Sequence, residues 1–230
     1  MDFGRALRFP LQDGDWLKKI GIGTLITIVP ILNFAAYGYA LDVLNNVYRG
    51  RETPLPEWND IGRLFVRGLI GGILVPLVYV WPVLILACAA YLPLTISAVN
   101  SPYGEPSGAA AAFTGCLFLI TMLVALVISP FSTAAIARYA TTDQFNEALP
   151  GPVLREVRPN LRPWITVLLF SIGASIAVSL VAVPIAVCTF GLGYLLLIPF
   201  SFYFILVQYH WYAQAHRAST GYQASSPYMV

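Results

Sequence analysis

The strongest constraint on this chain is the spacing of its charges. Asp, Glu, Lys and Arg are absent from four long runs, residues 20–41, 68–104, 106–137 and 163–216. A helix that crosses the hydrocarbon core of a bilayer needs about 20 consecutive apolar residues. The first three runs therefore hold one hydrophobic segment each, and the last is long enough for two helices, with a turn near Thr189-Phe190-Gly191-Leu192-Gly193. A soluble fold is excluded by composition. Charged residues make up 10% of the chain and the mean hydropathy is +0.72, whereas soluble domains carry about 25% charged residues. So few charges cannot cover a core of this size in water, but lipid removes the need for them.

Five hydrophobic segments follow, near 18–43, 69–98, 109–137, 164–187 and 193–215. Pro30, Pro76, Pro82, Pro93, Pro130, Pro184 and Pro199 fall inside them. Each is expected to kink or break its helix, which a membrane bundle tolerates when neighbours satisfy the freed carbonyls.

The basic residues set the topology. Arg5, Arg8, Lys18 and Lys19 precede the first segment; Arg49, Arg51, Arg63 and Arg67 precede the second; Arg138, Arg155, Arg158 and Arg162 lie between the third and fourth; Arg217 is in the tail. The loop at 99–108 and the turn at 188–193 hold none. The positive-inside rule puts all four basic regions in the cytoplasm. That requires the first segment to enter and leave on one side. Pro30-Ile31-Leu32-Asn33 at its middle, with Gly21, Gly23 and Gly38 around it, permits two half-length helices. The fold class expected is an all-α membrane protein: four full transmembrane helices plus an N-terminal re-entrant helical hairpin, with short amphipathic interfacial helices and both termini cytoplasmic. Five full spans, with four basic residues on the wrong side, is the rival. Residues 1–217 form a single transmembrane domain and 218–230 a short polar tail. Gly38-Tyr39-Ala40 resembles a signal-peptidase site, but its flanks are acidic as well as basic, and no cleavage is expected.

Tryptophan and basic residues gather before each apolar pair, at Trp16-Leu17-Lys18-Lys19, at Trp58 to Arg63 and at Leu161-Arg162-Pro163-Trp164. Either three interface-plus-hairpin units repeat, or these residue types simply collect at interfaces. Residues 57–67 read as an amphipathic helix lying flat at headgroup level, with Ile61, Leu64 and Phe65 on one face, Arg63 and Arg67 on another, and Trp58 as anchor. Residues 153–162 repeat the theme, with Arg155, Arg158 and Arg162 on one face. These five arginines are candidate contacts for lipid headgroups, or alternatively ordinary topology-setting charge.

Chemistry is sparse. No ionisable side chain lies deep in the four full spans, Asp42 being near the exit of the hairpin, which argues against a proton relay or voltage sensor. G-x-S-x-G, H-E-x-x-H and G-x-G-x-x-G are absent. The two histidines, His210 and His216, are six apart and on different helical faces, so they are poor joint metal ligands. His210, Gln214 and Arg217 share a face at i, i+4, i+7, and with Asn33 at the break they form the candidate polar sites. Cys88, Cys116 and Cys188 are an odd number, widely spaced in apolar runs, and read as reduced thiols. No cofactor or metal is expected. The near balance of 13 basic and 11 acidic residues gives no nucleic-acid face. Ser171, Ser175 and Ser179, with Gly173 and Ala177, and Gly68 with Gly72, are small-residue faces suited to close helix packing.

Several stretches carry a family resemblance: Trp16 to Lys19 leading into Ile20-Gly21; Pro30-Ile31-Leu32-Asn33-Phe34 followed by Gly38-Tyr39; Gly50 before Leu55-Pro56-Glu57-Trp58-Asn59-Asp60; Arg138-Tyr139-Ala140; and the ending with His210, Gln214 and Arg217. The chain resembles the prokaryotic membrane proteins grouped as domain of unknown function four-thousand-and-thirteen. Pro150-Gly151-Pro152 departs from it by interrupting a stretch that is usually helical, and the tail is richer in Tyr and Ser. The resemblance implies a prokaryotic cytoplasmic membrane and no particular activity. The expectation is a non-enzymatic membrane protein, an accessory or scaffolding subunit whose partners are membrane lipids and another membrane protein or a second copy. The alternative is a small permease or lipid-handling protein with its site at the broken first helix.

Overall fold

A computed structural model of the chain describes residues 2–51, 54–101, 103–190 and 193–222. All regular secondary structure among the described residues is helical. Helix α1 (Phe3–Arg8) is capped by Asp2, whose carboxylate accepts the Arg5 N–H at 2.9 Å. A 3-10 turn, Phe9–Gln12, leads on towards α2 (Trp16–Ile28). Helix α2 ends where Val29 turns extended, because proline disfavours helical backbone at the residue before it. Helix α3 (Asn33–Tyr48) follows.

The segment Leu55–Trp58 shows how α2 and α3 lie. Lys19 of α2 donates from Nζ to the Leu55 carbonyl at 3.2 Å, and the Trp58 indole donates to the Lys19 carbonyl at 3.0 Å. Tyr39 of α3 donates to the Pro56 carbonyl at 2.9 Å and stacks on Trp58 with ring centroids 4.1 Å apart. On one straight helix Lys19 and Tyr39 would stand about 30 Å apart. Both reach one short segment, so the chain doubles back at Pro30 and α2 and α3 run side by side.

Helix α4 (Ile61–Leu69) starts at Asp60, which accepts the Arg63 N–H at 2.9 Å. It continues through a wide π-helical turn, Ile70–Leu74, into α5 (Val75–Val99), giving 39 unbroken helical residues. The separate short helix expected over 57–67 is therefore corrected: α4 is the first stretch of one long helix, since nothing between Arg67 and Val75 removes a backbone donor and Gly71-Gly72 accommodate the wider turn. Helix α4 packs on α3 backbone to backbone. A Cβ on Gly38 would stand 1.9 Å from the Leu64 carbonyl oxygen, and one on Gly68 would stand 1.7 Å from that of Phe34.

Helix α6 (Gly108–Thr142) is capped by Ser107 and ends at Asp143, whose φ is 55°. A 3-10 turn, Phe145–Ala148, precedes α7 (Pro150–Val157). Pro150 occupies the first turn, where no intrahelical donor is needed, so Pro150-Gly151-Pro152 opens a helix instead of interrupting one. Helix α8 (Leu161–Cys188) and α9 (Gly193–Thr220) complete the described chain. Arg155 and Arg162 therefore sit on different helices, correcting the single basic face read over 153–162, because the chain breaks around Pro159. Pro82, Pro93, Pro130, Pro184 and Pro199 lie inside helices that continue through them.

Among the described residues, three helices are long and apolar enough to cross a membrane: Ile61–Val99, Gly108–Thr142 and Leu161–Ile185. Residues 191–192 of the expected 188–193 turn and residues 223–230 of the expected tail lie outside the described residues. The buried core draws on α3 from Ala35 to Val47, the end of α6 from Ala134 to Ala140, and α9 from Phe202 to Ala215, with Val153, Val157 and Trp164. It sits at the end of the molecule that carries the basic residues. Beyond it the apolar helices bury little: 17%, 6% and 6% of their most hydrophobic windows.

Candidate functional site

Three ion-pair networks close the charged end. In the first, Asp42 of α3 meets two arginines of α4. Arg63 Nη2 donates to Asp42 Oδ2 at 2.6 Å, and Arg67 pairs with Asp42 Oδ1. Arg67 also donates to the Ala140 carbonyl at 2.5 Å, which ties α3 and α4 to the end of α6. Its Nε lies 2.7 Å from Asp143 Oδ1, but the N–H is not aimed at that oxygen, so this contact is an ion pair without an aligned hydrogen bond. Asp42 and Arg67 are both buried. An unpaired charge there would be costly, and each supplies the other's counter-charge.

The second network joins α6, α7 and α9 through Glu156. Its Oε2 accepts from Arg138 Nη1 at 2.8 Å. Its Oε1 accepts from His216 Nδ1 at 2.7 Å and from the Ser219 hydroxyl at 2.6 Å. Arg138 also pairs with Glu147 and donates from Nε to its carbonyl at 2.9 Å. His216 Nε2 lies 3.3 Å from the Thr141 hydroxyl, and its ring packs on Tyr48. Burial by itself would raise the Glu156 carboxyl, but the hydrogen bonds from His216, Ser219 and Arg138 outweigh it and hold the group below the ordinary carboxylate range.

The third network anchors the hairpin base. Lys19 donates to Asp13 Oδ2 at 2.9 Å and pairs with Glu57 Oε1 at 2.8 Å. Asn46 donates to the Pro54 carbonyl at 2.9 Å. Trp58 is thus held by Tyr39 and Lys19 and packs within the protein.

The candidate residues fall into distinct places. Arg67 differs from the headgroup expectation: it is buried and its guanidinium faces Asp42 and Ala140. Arg63 is half-exposed and paired with Asp42. Arg155, Arg158 and Arg162 are exposed. His210 is buried, stacks on Phe9, and shares a 3.0 Å hydrogen bond between its Nδ1 and Gln214 Nε2. Gln214 also bonds the Asp2 backbone at both ends, at 2.7 and 2.9 Å, fastening α1 to α9. Arg217, on the same face, is partly exposed. Asn33 stands apart at the break, its Oδ1 sealed from solvent and accepting no hydrogen bond. Cys88, Cys116 and Cys188 are free and exposed. Among the described residues no three His, Cys, Asp or Glu side chains converge as a metal-ligand group. Glu156, Glu147, Ser219 and Thr141 were not singled out from sequence. Glu156 and His216 are 60 residues apart, and the one local signal was Arg138 standing immediately after an uncharged run.

An all-helical protein of membrane character, with three interlocked groups of ion pairs at one end, is the class this architecture defines. The chain belongs to the family described as protein of unknown function (DUF4013), whose model matches residues 22–187. The match begins inside α2 and runs through α8 to Val187; it leaves out Trp16 to Gly21 and stops short of His210, Gln214 and Arg217. No curated protein and no solved structure matches the chain.

Proposed function

We propose that this protein is a non-enzymatic subunit of a larger membrane assembly, acting by association with other membrane helices as an accessory or scaffolding component. Its setting in this reading is a prokaryotic cytoplasmic membrane, with both termini cytoplasmic. Helix α9, 28 residues long, is the fourth span, and the doubled-back pair α2–α3 is a re-entrant hairpin. The observation that carries the reading is the contrast in burial. The charged end is packed and ion-paired, while the spans leave nearly all of their apolar surface outside the chain's own core. Helix α8 in particular turns Ser175 and Ser179, four residues apart on one face, outward, with Gly173 and Ala177 on the opposite side. Small residues on an open face let a second helix approach closely in lipid, where apolar burial gives no drive of its own.

Cysteine cross-linking in native membranes tests this, with Cys88, Cys116 and Cys188 first replaced. Cys at position 175 is expected to join the chain to a second polypeptide in a stoichiometric product, and Cys at the exposed Leu180 to do so less. A monomer in mild detergent, with no cross-link at either position, overturns the proposal. A second reading, a small permease or lipid-handling protein, draws on Asn33, whose unsatisfied Oδ1 lies at the helix break. A substrate bound there would supply the missing donor.

A further inference from the structure

Of the 13 lysines and arginines, Lys19, Arg63, Arg67 and Arg138 make ion pairs. Those pairs occupy Asp13, Asp42, Glu57, Asp143, Glu147 and Glu156. The remaining nine cations have no carboxylate partner among the described residues. One of them, Arg162, lines a pocket of about 340 Å³ together with Phe3, Pro163, Thr166 and Ala218. The pocket thus lies where α1, α8 and α9 meet. Asp2, next to Phe3 in sequence, is committed to capping α1.

The donors available in the pocket select an anion. Thr166 already donates its hydroxyl proton to the Arg162 carbonyl at 2.8 Å. Asn160, before the first turn of α8, donates to the Ser219 carbonyl at 3.0 Å and does not cap the helix. The Arg162 guanidinium is therefore the free donor group, and a guanidinium matches a phosphate by paired N–H···O bonds. The rest of the lining, Phe3, Pro163 and Ala218, is apolar. The same helix face continues with Ile165 and Leu169, three and seven residues beyond Arg162 and both exposed. A charged group at Arg162 thus opens directly onto an apolar strip that runs along the span.

We infer that this pocket binds the phosphate of an anionic glycerophospholipid, with Arg162 holding the headgroup and an acyl chain lying along Ile165 and Leu169. This goes beyond association with other helices and stands independently of it. A soluble phosphate ester would offer the same anion without the chain, and the apolar strip favours the lipid.

Native mass spectrometry of the full chain tests the site, after reconstitution in equal phosphatidylglycerol and phosphatidylcholine. Wild type is expected to retain phosphatidylglycerol in preference. Arg162→Gln lowers that preference about fivefold, the effect of one basic residue near an anionic surface. Ala218→Phe, which fills the pocket at unchanged charge, lowers it similarly, and Arg155→Gln on α7 leaves it near wild type. Retention in Arg162→Gln equal to wild type overturns the site. So does an equal loss in Arg155→Gln with none in Ala218→Phe, which marks diffuse surface charge. Displacement of the lipid by millimolar glycerol phosphate overturns the lipid assignment in favour of a soluble ester.

Discussion

Replacing Gly68 by Ala should break the close backbone approach of α3 and α4. A Cβ there would stand 1.7 Å from the Phe34 carbonyl oxygen, 2.5 Å from the Gly38 nitrogen and 2.8 Å from the Phe34 carbonyl carbon. All three are backbone atoms of α3, so no side-chain rotation relieves the clash. Ordinary carbon contacts lie at about 3.5 Å or more, and α3 and α4 would have to separate by roughly 1.5–2 Å. That movement stretches the 2.6 Å Arg63–Asp42 bond and shifts Arg67 off Asp42 and Ala140. Overpacking a well-fitted site costs about 1–3 kcal/mol, and loosening a buried ion pair adds to it. For a chain of this size about 2–4 °C is lost per kcal/mol, so the melting temperature should fall by roughly 5–10 °C. Fluorescence-detected gel filtration after graded heating in detergent measures it. Gly173→Ala is the internal comparison. Its Cβ meets nothing, and alanine favours a helix over glycine by about 1 kcal/mol, so that variant should melt at or slightly above wild type. If Gly68→Ala and Gly173→Ala melt alike, the backbone contact between α3 and α4 is refuted.

Glu156→Gln should lower the melting temperature more than any surface change, because it leaves Arg138 and His216 without their shared carboxylate; breaking a buried pair from one side costs about 3–5 kcal/mol. The same carboxyl makes an acid signature. Its folded-state pKa is depressed, so its contribution is complete above the ordinary carboxylate range and is lost as pH falls through the lower folded value. Melting curves from pH 7 down to pH 3 should therefore show a steeper acid loss in wild type than in Glu156→Gln, and parallel curves would refute the linkage. On topology, in a chain freed of native cysteines, Asn45→Cys should label from the cytoplasmic side only and Tyr103→Cys from the opposite side only. Labelling of position 45 from outside would make the first segment a full span.

What the sequence made legible follows the range of each interaction. Uncharged runs locate helices because lipid penalises charge residue by residue, and Pro30 marks the break because its ring acts on its immediate neighbour. The placement of Arg67 needed information of another kind. Read along α4 it is a basic residue on an amphipathic face, the pattern of a headgroup contact. What buries it is the Gly38–Gly68 approach, which brings a different helix close enough for Asp42 to meet the guanidinium. Both glycines and Asp42 were visible, but their juxtaposition was not. The Glu156 network is more distant still, drawing on Arg138, Glu147, His216 and Ser219 from elements that meet only in the folded chain. Read together, these cases explain why the charged end looked like a loose set of topology signals in sequence. Its acidic residues are spread along the chain among equally scattered bases, and only folding divides the bases into four that lock the helices together and others, Arg162 among them, left exposed.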